Sequence, residues 1–254
     1  MRRLALGSVV LVIVVLGAGC LGMDGGPDRS DRAEATLEEV NSALQDVTTY
    51  RAETELRATA VAEEETISRD ATIVGAVNVT QKRSNMTLEM DGETRRAYVD
   101  NRTMYQECER PWGWANESID GSGQWIETTT LGRHVDLLDS GDLRLETTST
   151  VADGGTVTLV GAPSEDALRE FREESNQPAV GDTKIENVSL QLVVDNRTHR
   201  PIEGSMSFEA VGDGATATAT MHSTYSGYDD PVRIAIPEEA TENEFDWSGG
   251  CPGS

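Results

Sequence analysis

The sequence predicts a mainly β chain with a few helices: a single antiparallel sheet, strongly curved, with helices on its concave side. Three observations carry this. From Tyr50 onward the hydrophobic pattern has a period of two for most of the chain, as extended strands require. The predicted strands are long and many are joined by short turns, so they meander antiparallel. The helical stretches are apolar along one stripe only, so each must lie on something.

The elements follow in order. Residues 1–19 read as a secretory signal, with Arg2 and Arg3 ahead of an apolar run from Leu4 to Leu16 and small residues up to Cys20. The run is shorter than the roughly 20 apolar residues that span a bilayer. Its end, Leu16-Gly17-Ala18-Gly19-Cys20, resembles the lipobox of prokaryotic lipoproteins, which makes Cys20 the lipidation site. Gly17 stands where that motif usually has Leu. The other reading is an uncleaved anchor with an incidental cysteine. Both place the domain outside the cytoplasm, tethered by its N-terminus. The implied location is the outer face of the cell membrane, and the export route, general or twin-arginine, stays open. Residues 20–30 hold the lipidated cysteine and a flexible Gly/Pro-containing tether.

A helix is expected from about Asp31 to Val47, with Asp31 and Glu34 in a capping-box spacing and Ala33, Leu37, Val40, Leu44 and Val47 on one face. Strands are expected near 50–61, 66–79, 82–90, 94–99 and 103–107, the last two joined by a turn at Asp100-Asn101-Arg102. A loop from Cys108 to Gly123 carries Pro111, Trp112 and Trp114, and Trp125 opens a brief extended piece. Leu131, Val135 and Leu138 predict a short helix ending before Ser140-Gly141. Strands resume near 142–151 and 155–161, joined at Asp153-Gly154. Ser164 caps a further helix with Ala167, Leu168 and Phe171 on its apolar face, ended by Asn176 and Pro178. Three long strands follow, near 183–194, 200–211 and 215–226. A short Val232–Ile236 piece leads to Pro237. Residues 31–237 form one domain without a linker, and 238–254 are an acidic, Gly-rich tail holding Trp247 and Cys251.

Acidic residues number 45 against 21 basic, for a net charge of −24, and only Lys82 and Lys184 are lysines. Such a chain resembles proteins of extreme halophiles, here of the archaeal kind, whose dense carboxylates keep the surface hydrated in high salt. Acidic runs such as Glu63-Glu64-Glu65 read as solvated surface. The charge argues against nucleic acid, because no Lys/Arg stripe is present to meet phosphates.

The helix ending in Leu44-x-x-Val47-x-x-Tyr50 and the passage Leu192-Val193-Val194-Asp195-x-x-Thr198-x-x-Pro201-Ile202 resemble the outer-envelope carriers of the LolA/LppX/LprG type. That resemblance covers about residues 31 to 237 and rests mostly on element order. It implies a half-open β-barrel with helices plugging its mouth and a cavity for acyl chains. It carries no catalytic motif.

The residues agree in one respect. Ile67, Ala71, Ile73, Gly75 and Val77, and Ala215, Ala217, Ala219 and Met221, are mostly small for side chains sharing a sheet face. Light faces leave room for a cavity, or they let helix and sheet pack closely. The candidates for lining a ligand cavity are Leu44, Ile73, Val77, Leu192, Phe208 and Ala217.

His134, His199 and His222 have no metal-ligand spacing. His134 follows Arg133 on what reads as a surface helix, His199 sits in a turn and His222 faces water. No nucleophile elbow or phosphate-binding loop occurs, so no enzyme, metal or cofactor is expected. With Cys20 assigned to lipid, Cys108 and Cys251 are an even pair in an exported chain and are expected to be bonded, the alternative being two free thiols. That bond would bring Trp247 near Trp112 and Trp114, with Trp125 close in sequence. Six Asn-x-Ser/Thr sequons occur, of which Asn101 and Asn196, in predicted turns, are the best glycan candidates. The functional expectation is a membrane-anchored binder or carrier of a lipid or apolar ligand. The alternative is a cell-surface structural or interaction lipoprotein that uses the same fold without a ligand.

Overall fold

The computed structural model describes residues 29–62, 65–108, 113–119, 124–146, 155–164, 167–168, 184–212, 215–242 and 251. The signal, Cys20, most of the tether, the 153–154 turn, Phe171, Trp112 and Trp247 lie outside them. Among the described residues no helix is long and apolar enough to cross a membrane.

Helix α1 (Arg29–Gln45) comes first. It begins two residues before Asp31, so that carboxylate sits in the first turn, where it complements the helix dipole, and does not cap the helix. Its Ala33, Leu37, Val40 and Leu44, with Val47 just beyond, are all buried, as their spacing requires.

Five strands follow: β1 (Thr49–Ala62), β2 (Glu65–Asn78), β3 (Arg83–Met90), β4 (Glu93–Asp100) and β5 (Thr103–Glu107). Each is antiparallel to its predecessor. The β3–β4 turn is Asp91-Gly92 with both residues at positive φ (53° and 80°), a geometry that fits strand twist and that Asp-Gly favours.

The predicted 108–123 loop contains a further strand, β6 (Trp114–Ser118), paired to β5. Its Asn116, Glu117 and Ser118 are poor strand formers, and β5 supplies the ladder that propensity does not. Trp125 opens a 3₁₀ turn (Trp125–Thr128) and not an extended piece. The Glu127 carboxylate accepts the Gln124 N–H at 2.8 Å and fixes the turn. Helix α2 (Thr130–Asp139) is capped by the Thr129 hydroxyl, which accepts the Gly132 N–H.

Then come β7 (Asp142–Glu146), β8 (Thr156–Ala162), β9 (Lys184–Asp195), β10 (Pro201–Gly212) and β11 (Ala215–Ser226). The predicted continuation of β7 to 151 lies outside the described residues. Ser164 does cap the start of a helix at Ala167, by accepting its N–H at 3.2 Å. A single helical turn, Glu238–Thr241, lies in the tail and packs on β5 and β6.

All eleven strands form one sheet in the order β6-β5-β4-β3-β2-β1-β11-β10-β9-β8-β7. Among the described residues it curls without closing, with β6 and β7 at its two ends. The first and last strands pair at its middle, from Arg51 opposite Ser226 to Ala62 opposite Ala215. The chain is thus two meandering arms joined at that seam.

The helices cover one face, and they cover it unevenly. Leu37, Val40, Leu131, Val135 and Leu138 of the helices bury against Leu159, Leu190, Leu192 and Val194 of β8 and β9. That arm is filled. Of α1 and α2, only the start of α2 lies over the β1–β6 arm among the described residues.

Candidate functional site

Under the β1–β6 arm lies a cavity of about 490 Å³. Its position follows from register. Tyr50, Val77, Ser84, Val99, Met104 and Glu117 form one row across the six strands, because β pairing sets them opposite one another in turn. The next row holds Ala52, Gly75 and Met86, and beyond it come Thr54 and Ile73. The floor is therefore apolar and low at its centre, where Ala52 and Gly75 stand side by side. The roof is Thr128, Thr129, Thr130 and Arg133, from the 3₁₀ turn and the start of α2. The size lies within the range of small-molecule sites.

The predicted lining residues separate. Ile73 and Val77 do line this cavity. Leu44 and Leu192 do not, since both are buried in the filled core under the other arm. Phe208 packs on the edge of that core, and Ala217 lies between Ala60 and Ala210 toward the hairpin tips. Alternation assigned these residues a face correctly, but a face spans both arms. Glu117 was not anticipated because β6 was not, whereas Ser84 and Arg133 lie on the expected β3 and α2 and join the site only through the way those elements pack.

The buried hydroxyls of the region are mostly paired. Thr54 and Ser223 bond each other at 2.9 Å, the Thr49 hydroxyl donates to the Asp230 carbonyl at 2.6 Å, and Thr129 donates to the Ile126 carbonyl at 2.6 Å. Tyr50 sits at the cavity's end, fully buried, and burial pushes its hydroxyl well above the ordinary phenol range. Arg133 and Glu117 are the two charged residues of the lining, and each already has a partner within the protein.

The other candidates fall elsewhere. His134 corrects the surface reading: it is 2% exposed, its Nδ1 lies 3.3 Å from the Tyr225 hydroxyl, and Gly204 across from it leaves room for the ring. His199 is in a turn at positive φ, 3.0 Å from the Glu39 carboxylate, and His222 is exposed on β11. Among the described residues no group of three or more His, Cys, Asp or Glu side chains is placed to hold a metal.

The Asp195-x-x-Thr198 passage is a structural turn. The Asp195 carboxylate accepts the Thr198 N–H at 2.8 Å, its hydroxyl at 2.9 Å and the Arg197 N–H at 3.1 Å, which holds its pKa below the usual carboxylate range. Pro201 after it offers its carbonyl to the Tyr228 hydroxyl. Asn101 and Asn196 are exposed in their turns, and the Asn101 carbonyl accepts the Trp125 indole N–H at 2.7 Å. Asn78, Asn85 and Asn187 are engaged in hydrogen bonds within the fold.

Cys108 and Cys251 are bonded, with Cα atoms 5.3 Å apart and 143 residues of separation. The bond is buried with Ala115 of β6. Trp114 is buried against Tyr98 at 5.8 Å and under Arg96 at 5.5 Å, whereas Trp125 packs on the main core, so these two rings serve different clusters.

No protein-family model and no curated protein matches the sequence. Among solved structures the chain is similar to the lipoprotein LppX of Mycobacterium tuberculosis, at 11% identity over 81% of this chain and 99% of that one, with a TM-score of 0.43. It is similar to a LolA superfamily protein of Nitrosomonas europaea, at 10% identity over 80% and 94%, with a TM-score of 0.29. It is also similar to the MucA/MucB complex of Pseudomonas aeruginosa, at 14% identity over 77% and 58%, with a TM-score of 0.34.

Proposed function

We propose that this domain binds or carries a lipid or other apolar ligand in the β1–β6 cavity. In this reading it is a non-enzymatic protein of the cell envelope, held at the outer face of the membrane through a lipidated Cys20. One observation carries it: the helices that fill one arm of the sheet leave the other arm's apolar floor roofed but hollow. A sheet built only for packing would fill both arms alike, because interiors are close-packed. The Cys20 anchor rests on the sequence alone.

The test is saturable binding of an uncharged apolar fluorescent dye, paired with a variant that fills the space. Ile73→Trp adds bulk where the side chain faces the cavity. It is expected to weaken dye binding by at least about tenfold, or about 1.4 kcal/mol, with the melting temperature near that of the parent. Unsaturable binding, or equal affinity in the two proteins, would count against the reading. For the anchor, Cys20→Ser is expected to leave an uncut precursor or to release the protein from membranes. A Ser variant that stays with membranes at mature size would rule lipidation out.

A further inference from the structure

We infer that the cavity's ligand is an uncharged amphiphile with a hydroxyl or carbonyl oxygen that bonds Ser84; the inference rests on the cavity-binding reading above. Ser84 lines the cavity and is 7% exposed. It lies between Val77 and Val99 on the neighbouring strands. Its hydroxyl opens onto the cavity and makes no hydrogen bond to another described residue. The other buried hydroxyls nearby do, in the Thr54–Ser223, Thr49–Asp230 and Thr129–Ile126 bonds.

A guest that fills the cavity displaces solvent from this hydroxyl, which is unfavourable unless the guest itself offers a partner. Alanine would pack at that position at no such cost. A guest with one oxygen placed over the β3 row satisfies Ser84 and buries the rest of its body on Ile73, Val77, Met86 and Met104. The charge of the guest follows from the lining. The two charged residues of the lining, Arg133 and Glu117, are opposite in sign and each has a partner within the protein, so the cavity has no net positive charge to offer an anionic head group. A buried, uncompensated carboxylate or phosphate is strongly disfavoured. The chain's net charge of −24 repels anions in addition.

The experiment displaces the uncharged dye from the full mature protein with three guests of equal chain length: dodecanol, dodecane and dodecanoate. It is run in molar salt at about pH 8, where the acid is ionised. Dodecanol is expected to displace the dye at least about tenfold more tightly than either of the others, corresponding to about 1.4 kcal/mol. Ser84→Ala is expected to bring dodecanol down to the level of dodecane while melting no lower than the parent. If dodecanoate matches dodecanol, or if Ser84→Ala keeps the alcohol's advantage, the proposal is overturned. It is overturned equally if the dye binds and dodecanol fails to displace it. If the dye does not bind at all, the cavity-binding reading fails with it.

Discussion

His134 sits on α2 between buried Leu131 and Val135, boxed in by Gly204 and Tyr225. Burial lowers its pKa, and the Ser205 backbone opposes this only in part. The folded state therefore holds the ring neutral, while the unfolded chain protonates it near its ordinary value of 6.5. Below that pH the unfolded state binds more protons, so stability is full above about 6.5 and falls as pH drops. The slope from one such group is at most about 1.4 kcal/mol per pH unit. Melting curves from pH 7.5 down to 5.5 are expected to show this loss, and His134→Gln is expected to flatten it. Equal slopes in the two proteins would mean the ring does not stay neutral. Asp195 and Asp229, whose pKa values are held down by the Thr198 and Thr48 backbone N–H groups, act in a separate window below the ordinary carboxylate value of 3.8. The position of His134 was legible in principle. Residue 134 lies three residues from 131 and four from 138, and so falls on their face of the helix. The polar neighbour Arg133 pointed the other way. Ser84 was not legible at all, since its lack of a partner depends on what three other strands bring near it.

At the scale of elements, α1 and the long strands could be read from the sequence because their apolar residues obey one period each. Leu37, Val40 and Leu44 repeat at helical spacing, and Tyr50, Ala52 and Thr54 alternate with exposed Arg51, Glu53 and Glu55. Strand β6 escaped, because five residues containing Asn, Glu and Ser carry no such signal and owe their form to β5. Leu44 is 5% exposed, so Leu44→Ala is expected to cost about 2–5 kcal/mol in chemical denaturation. A variant as stable as the parent would mean that α1 adds nothing to the filled arm. The tail owes its place to the bond between Cys108 and Cys251 as well as to the buried Ala240. In the chain-entropy account a loop of this length is worth roughly 5 kcal/mol, an upper figure. The Cys108→Ala/Cys251→Ala double variant is expected to lose a large part of that. It should also expose the 238–241 turn to protease before the rest of the sheet yields.

For the whole molecule, the charge dominates. With 45 acidic residues against 21 basic, self-repulsion opposes the folded state wherever screening is weak. The screening length shrinks from about 10 Å at 0.1 M salt to about 3 Å at 1 M. The melting temperature is therefore expected to climb by several degrees between those concentrations. No change across that range would show that the carboxylates are spaced or paired well enough not to matter. What the sequence did not disclose at this scale is which arm is hollow. Both arms alternate, and both have small residues on their inner face. The difference arises from where α1 and α2 land, and that is decided by contacts far apart in sequence.

The seam between β1 and β11 has a further consequence, for the order in which the molecule comes together. Each arm grows by hairpins between strands that are neighbours in sequence, the kind of contact that forms early because little chain entropy is lost. The seam joins Arg51 to Ser226, a separation of 226 − 51 = 175 residues. It can close only after the second arm has been made, and until then both β1 and β11 present a bare edge. A newly made chain is thus most open to wrong partners at its middle, through two strands that the finished molecule never exposes.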